Sequence, residues 1–351
     1  MFLSIDSRAF LLSKIRKFKT SDQKKINLIS NFLGVGSGPQ EFMCDLAEEI
    51  DKNSEIEITY NFLKSDLHLL NLGFHSKIWD LIQIKNSKNV VIRFDGIGID
   101  STSDKKRSKY KMEKLIKRGK YLIFQSNFCR QFFKNEFGYL PNNSVINNGA
   151  KIKRSLIDSE KNQLKKILGK NFKNDYYVVA GRNVPRKRIK EIVNSFDKIN
   201  KYKLIVLSEI PNNEKLNNKK IKYIGKLHPF LAREIISNSN ALIHMDQYDW
   251  CPNIVISAII DKVPIICSNF GGTCEIVKDN GIIIEEFAKD LPSNLEAIKS
   301  IRSSLFPDEL LYCALEKVSN KKKLENYPRK YLMESCALEY IKVFNKIKNL
   351  T

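Results

Sequence analysis

Short runs of apolar and β-branched residues recur along the chain, each separated from the next by a stretch with helical spacing. Lys25–Ser30 reads as a buried strand, followed by the glycine-rich turn Gly34–Gly38 and the amphipathic segment Gln40–Ile50. Glu55–Phe62 and Asn89–Phe94 repeat the short β-branched run. Lys120–Phe124 is a further strand, leading into a helix through Phe132 and Phe133 that stops at Gly138. Val145-Ile146 then enters the turn Asn147-Asn148-Gly149, and Lys151–Asn174 is a polar, lysine-rich connector. Beyond it the alternation resumes. Strands are predicted at Tyr176–Ala180, Tyr202–Leu207, Ile221–Ile224, Ala241–His244 and Pro264–Cys267, with helices at Arg188–Ile199, Pro229–Ser239 and Pro252–Asp261.

Strands alternating with helices form parallel βαβ units, and two such series predict an α/β protein of two Rossmann-like, doubly wound domains facing a cleft. The domains are expected at 1–170 and 171–326. Residues 327–351 carry a long helix, Tyr327–Ile347, with Leu332, Cys336, Tyr340 and Val343 at helical spacing, expected to pack back on the first domain. No apolar stretch approaches the roughly 20 residues of a membrane helix. The start of the chain has Asp6 before its apolar patch and basic residues after it, the wrong order for a secretory signal.

Composition changes the picture in two places. Seven cysteines without a C-x-x-C pair, and only four histidines, give no zinc framework and fit a reduced, cytoplasmic compartment. The 60 basic residues exceed the 39 acidic ones, for a net charge of +21. Nine basic groups fall within residues 104–120 against Asp104 and Glu113, among Tyr110, Met112, Leu115 and Ile116. That segment is either a solvated lysine surface or a face attracted to an anionic membrane leaflet, the inner one for a cytoplasmic protein. No nucleic-acid-binding motif accompanies the charge.

Three places carry candidate chemistry. Gly34-Val-Gly-Ser-Gly38 has the start of a phosphate-cradling turn, at Gly34, Gly36 and Gly38, but lacks the full dinucleotide pattern. Gly181–Arg188 places four basic groups directly after a strand and before a helix, where guanidinium groups, an ammonium and a helix N-terminus together suit a diphosphate. In Tyr248–Ser257, Pro252 stands at a natural first helical position, the amides of Asn253 and Ile254 become donors, and Asp249 just before the helix can accept from sugar hydroxyls.

The chain resembles the retaining, nucleotide-sugar-dependent glycosyltransferases of family 4 (group 1, GT-B fold), over roughly residues 25 to 347. The resemblance rests on Gly181-Arg182 with Lys187, Gly225, Asp249-x-Cys-Pro-Asn253, Pro264, Gly271-Gly272-x-x-Glu275-Ile-Val277 and Gly281, in that order. Arg93-Phe-Asp-Gly96, Gln125-Ser-x-Phe128 and Asn147-Asn-Gly149 are similar to a subgroup of the family. The resemblance implies an acceptor-binding first domain and a donor-binding second one. It implies that Arg182 and Lys187 bind the donor diphosphate, that Asp249 holds donor-sugar hydroxyls, and that Cys251, Pro252 and Asn253 line the sugar. Ile254, Gly271, Gly272 and Glu275 are grouped with the donor site, and Gly34, Gly36 and Gly38 would approach its phosphates. Asp95 would orient the acceptor or support the reacting sugar, or else cap a turn. Neither a metal nor a cofactor is implied.

Ser257 departs from the pattern, falling where the family's E-x7-E motif has its second acid, which binds the nucleotide ribose. A serine cannot reproduce a carboxylate–diol contact, which would weaken donor binding by roughly 1.5–3 kcal/mol. Asp261 lies one turn on, about 5.4 Å away along the helix, and Lys262 replaces the usual glycine after it. The expected activity is hexosyl transfer from a nucleotide sugar to a glycan or lipid-linked acceptor, in surface polysaccharide or glycoconjugate synthesis. The alternatives are a catalytically weakened glycan- or nucleotide-binding protein and a nucleotide-sugar epimerase.

Overall fold

The computed structural model of the protein describes residues 25–29, 38–59, 65–72, 89–96, 105–169, 172, 175–319 and 326–348. Gly34 and Gly36 lie outside the described residues. The chain divides into two compact units, residues 1–151 with 329–351 and residues 152–328. The connector residues 152–169, grouped with the first domain on sequence, therefore go with the second unit.

In the first unit the elements run β1 (Lys25–Ile29), α1 (Gly38–Asn53), β2 (Glu57–Thr59), β3 (Leu67–Leu72), β4 (Val90–Phe94), α2 (Lys105–Arg118), β5 (Tyr121–Phe124), α3 (Asn127–Phe137) and β6 (Asn143–Val145). All strand pairings are parallel, in the order β2-β1-β3-β4-β5-β6. The sequence of β3, Leu-His-Leu-Leu-Asn-Leu, has no β-branched residue, and the pattern of short β-branched runs passed over it. Helix α3 follows its local signals: the Ser126 hydroxyl accepts from the Cys129 amide at 3.0 Å, and Gly138 ends the helix at φ 76°. Its Phe133 packs on Phe94 and Phe124 at ring separations of 4.4 and 5.3 Å.

The second unit begins with α4 (Asp158–Leu168), then β7 (Tyr177–Ala180), α5 (Ile189–Ile199), β8 (Leu204–Leu207), β9 (Ile221–Tyr223), α6 (Pro229–Ser237), β10 (Leu242–His244), α7 (Asn253–Ile260), β11 (Ile265–Ser268), α8 (Gly272–Val277), β12 (Gly281–Ile284), α9 (Leu295–Ile301) and α10 (Asp308–Ser319). Its sheet is also parallel throughout, in the order β12-β11-β10-β7-β8-β9. Helix α4 lies inside the predicted connector. It is polar except at Leu164, Ile167 and Leu168, and Glu160 ties its start by accepting from the Ile157 amide at 3.1 Å and from Arg154 at 2.7 and 2.9 Å.

The chain then returns to the first unit with α11 (Met333–Lys348), preceded by a short 3-10 turn at Arg329–Tyr331. Its buried stripe of Met333, Cys336, Ala337, Tyr340, Phe344 and Ile347 joins Phe42, Met43 and Leu46 of α1 in one core. Among the described residues no helix is long and apolar enough to cross a membrane. In α2, Leu115 and Ile116 are buried while Lys114, Lys117 and Arg118 are exposed. These two apolar residues are spent on the protein core, while the three cations face outward.

Candidate functional site

In the second sheet the strand order reverses between β7 and β10. The chain builds β7, β8 and β9 outward, then crosses back to lay β10 against β7 and continues in the other direction. Open α/β sheets bind ligands outside the carboxyl ends of strands at such a switch point. The segments leaving those two ends are Gly181–Arg188 and Met245–Pro252.

Gly181 holds φ at 134°, and a Cβ there would lie 3.1 Å from Cδ of Lys187, so the glycine leaves the space Lys187 crosses. The four basic groups of this segment separate. Arg182 is exposed. Arg188 turns into the body, pairing with Glu286 and donating to Ser304 Oγ at 2.5 Å, which removes it from any phosphate. Arg186 and Lys187, on a 3-10 turn, converge on Asp246 from the other strand end. Arg186 Nη1 donates to Asp246 Oδ1 and Oδ2 at 2.7 and 2.6 Å, and Lys187 Nζ to Oδ2 at 2.9 Å. Both cations stand 3.8 Å from Asp249 Oδ2. Asp246 had no place in the sequence reading. Its signal was there, however: His244 and Asp246 are charge-capable residues two apart at the end of an apolar strand.

Burial and charge oppose each other in this cluster. Burial raises the Asp249 carboxyl, but Lys187 and Arg186 pull it net below the ordinary value. Burial wins at Asp246, lifting it above the ordinary value against the same two cations. Burial also works against the Arg186 charge, and Asp246 and Asp249 more than offset it. His244 is pushed down to about 3 by burial, with Lys187 adding to the effect, so its imidazole is neutral. Among the described residues neither ring nitrogen has a hydrogen-bond partner. His244, Asp246 and Asp249 each bring a ligand-type atom within 4.8 Å of the others. Arg186 and Lys187 already sit on these carboxylates, and a divalent cation would meet two fixed positive charges at contact range.

Helix α7 follows directly. Pro252 is its cap residue (φ −71°, ψ 118°) and not its first helical residue, and its carbonyl accepts from Val255 and Ile256. Asn253, Ile254 and Ser257 lie on partly exposed positions of α7, while Cys251 and Pro252 are buried. Asp261 is committed elsewhere, to a two-pronged pair with Arg233 at 2.7 and 2.8 Å, so it does not stand in for the missing acid. Lys262 takes the conformation a glycine would favour, at φ 63°. The Lys262 amide donates to Ile259 O and that of Val263 to Ala258 O, both at 2.9 Å, closing the helix end. Gly271 (φ 95°) and Gly272 touch the site through the backbone: Gly272 N donates to Asp249 O at 2.6 Å, and a Cβ on Gly271 would fall 2.9 Å from Asp249 N. The pair fixes where Asp249 stands. Glu275 follows in the first turn of α8, partly exposed.

The first unit holds a second polar cluster, at the carboxyl ends of β3, β4 and β5. Parallel register pairs Asn71 with Arg93 and Phe94 with Phe124, so Asp95 and Gln125 emerge at one edge. Arg93 is fully buried. Its Nη1 pairs with Asp95 and donates to Asn71 Oδ1 at 2.7 Å, and its Nη2 donates to Asn148 Oδ1 at 2.6 Å. Gln125 Nε2 donates to Asp95 Oδ1 at 2.8 Å, and Gln125 Oε1 accepts from Asn148 Nδ2 at 3.1 Å. Three motifs far apart in sequence therefore meet in one network. Two of its buried atoms, Arg93 Nε and Asp95 Oδ2, have no hydrogen-bond partner among the described residues. The structure thus brings Lys187 and Asp249 together in the second unit, leaves Arg182 at the rim of that strand end, and puts Asp95 in a network of the first unit.

Residues 160–302 match the model of the family described as glycosyl transferases group 1. No curated protein matches the sequence. Among solved structures, sucrose-phosphate synthase from Thermosynechococcus elongatus is similar at TM-score 0.65 and 13% identity, covering 94% of this chain and 100% of that one. HepE from Anabaena in complex with UDP is similar at TM-score 0.61 and 14% identity, covering 92% and 100%. A glycosyltransferase from Rickettsia africae has TM-score 0.60 and 15% identity, covering 94% and 100%. At these identities the likeness establishes the fold: two parallel-sheet α/β units of the GT-B kind.

Proposed function

We propose that the protein is a retaining glycosyltransferase of family 4 that moves a hexosyl group from a nucleotide-sugar donor to a glycan or lipid-linked acceptor, without a metal, in surface polysaccharide or glycoconjugate synthesis. The observation that carries the reading is the pairing of Lys187 with Asp249 at the switch point of the second sheet, inside the segment matching the glycosyl transferases group 1 model. HepE, one of the similar structures, is described with UDP, with UDP and glucose, and with UDP-glucose, which supports a nucleotide-sugar donor.

In this reading Lys187, with Arg182 at the rim, stabilises charge on the departing diphosphate, the step where fixed cations contribute most. Asp249 accepts from donor-sugar hydroxyls. Cys251 to Ile254 lie beside the sugar, and Gly271, Gly272 and Glu275 hold and flank that position. The bond from the anomeric carbon to the phosphate oxygen breaks, the bond to the acceptor oxygen forms, and the acceptor proton passes to the departing diphosphate. No flanking carboxylate pair of the glycosidase kind is required. Asp95, with one carboxylate oxygen unpartnered among the described residues, suits an acceptor hydroxyl. The exposed cations of α2 would draw the protein to an anionic inner leaflet by charge alone, at about 1 kcal/mol per basic group near the surface.

One observation favours a second reading, a binding protein with weakened catalysis: Ser257 replaces an acid, and Asp261 is held by Arg233. A panel of nucleotide sugars scored for transfer and hydrolysis separates the two. Turnover of any donor supports the transferase. Nucleoside diphosphate binding without turnover supports the binding protein, and conversion of the donor to its epimer supports an epimerase. Ser257→Glu sharpens the result, because a restored acid should tighten UDP or GDP binding about tenfold or more by calorimetry, the equivalent of roughly 1.5–3 kcal/mol.

A further inference from the structure

Lys187 does not meet Asp249 alone. A lysine ammonium beside a partly buried carboxylate ordinarily closes to hydrogen-bonding distance, near 2.7–2.9 Å. Here it stops at 3.8 Å, and so does the Arg186 guanidinium. Both are held by Asp246, whose side chain is 1% exposed and takes Arg186 at 2.6 Å and Lys187 at 2.9 Å. The Tyr248 carbonyl accepts a further bond from Arg186 at 2.8 Å, and its ring lies 5.2 Å from that guanidinium. Arg186 and Lys187 remain 16% and 14% exposed and Asp249 17%, so three of the four groups reach the surface and Asp246 is the buried root.

We propose that Asp246 is a positioning residue of the donor site: it draws Arg186 and Lys187 onto itself as a paired cation and thereby keeps the carboxylate of Asp249 available for donor hydroxyls. The inference rests on the glycosyltransferase reading above and adds two residues to it. Arg186 becomes a second diphosphate-binding cation, and Asp246 acts only through its neighbours. Without Asp246 the two cations collapse onto Asp249, their nearest remaining anion, and occupy the oxygens a sugar would use. The total positive charge at the strand end is unchanged by that collapse, whereas the hydroxyl acceptor is lost.

The test uses the full-length protein with UDP and GDP as binding probes, and UDP-glucose, GDP-mannose and the other donors of the panel for turnover. Asp246→Asn should hold nucleoside diphosphate affinity within threefold while lowering kcat/KM for the donor at least tenfold. In an Asp249→Asn background the same change should cost less than twofold, because the acceptor it protects is already gone. A merely structural residue would instead lower diphosphate affinity and turnover together, and its loss would add to that of Asp249. Either result overturns the inference. Arg186→Met, at a partly exposed position, covers the case in which Asp246→Asn does not fold: diphosphate affinity should drop at least tenfold, and a change under twofold overturns the paired cation. A wild-type protein that binds neither UDP nor GDP overturns the glycosyltransferase reading itself and this inference with it. Binding and turnover in the wild type, with additive losses in the double variant, overturn the inference alone.

Discussion

The two polar clusters occupy equivalent places, at the carboxyl ends of parallel strands in each unit, yet they are built on opposite plans. In the first, one arginine and one aspartate are enclosed by the amides of Asn71, Gln125 and Asn148, with Arg93 fully buried. In the second, two cations and two carboxylates share few neutral partners, and most of the charged side chains reach the surface. Amides that both donate and accept suit a neutral hydroxyl ligand, while paired cations that reach the surface suit a phosphate. The first cluster also lies beside its sheet's switch point, which falls between β1 and β3, whereas the second sits on it. The difference is one of redundancy. Each charge in the first cluster has a single opposite, and in the second every charge has two.

Removing a cation from each cluster gives the largest contrast. Arg93→Met leaves Asp95 buried without its counter-ion, and uncompensated buried charges of this kind cost about 3–5 kcal/mol. Arg186→Met leaves Asp246 still paired with Lys187 and should cost less than about 2 kcal/mol on the scale of a single charged hydrogen bond. Chemical denaturation of both variants measures the gap. Equal losses would mean that the second cluster has no such redundancy.

Ligand binding should divide the clusters next. Lys187→Ala is expected to weaken UDP or GDP binding by about 1.5–3 kcal/mol, the loss of charge-assisted bonds to phosphate. Asp95→Asn should leave that affinity unchanged and lower transfer to the acceptor. Calorimetry on both variants, with turnover on the second, decides it. An Asp95→Asn protein with reduced diphosphate affinity would break the division of labour.

Acid should act on the second unit through His244. Its folded value, about 3, lies below the ordinary 6.5. The unfolded chain therefore takes up a proton first, and stability falls as pH drops from 6.5 towards 3, by up to about 1.4 kcal/mol per pH unit. Thermal unfolding across that range should show the slope, and His244→Gln should flatten it. A Tm curve identical in both proteins would rule out the histidine as its source.

The smallest effect is at Lys262. A non-glycine residue at φ 63° carries a penalty of roughly 1–2 kcal/mol, partly offset because glycine costs more to order. Lys262→Gly should stabilise the second unit by about 0.5–1 kcal/mol without touching either cluster. A lower unfolding midpoint in that variant would show that the lysine side chain has a compensating contact.

Much of the fold was legible because the forces that set it are local. Apolar runs at Tyr177–Ala180, Leu204–Leu207 and Ile265–Ser268 could only be buried strands, and Ser126 and Gly138 marked the ends of α3. Strand β3 escaped because leucine is a good helix former and its pattern lacks β-branched residues. Helix α4 escaped because its polar face looks like a linker until Arg154 and Glu160 close its first turn. The site divides in the same way. Lys187 and Asp249 were visible as members of spaced motifs, and so was Asp95. That Asp246 binds Arg186 across 60 positions, that Arg188 turns inward to Glu286, and that Asp261 is spent on Arg233 were not. Charge pairing depends on distance in space, and distance in space is set by sheet order and register. The sequence by itself determined which segments are buried and which residues carry charge. Only the tertiary structure decided which charges oppose each other, because β10 lies against β7 and not against β9 before it.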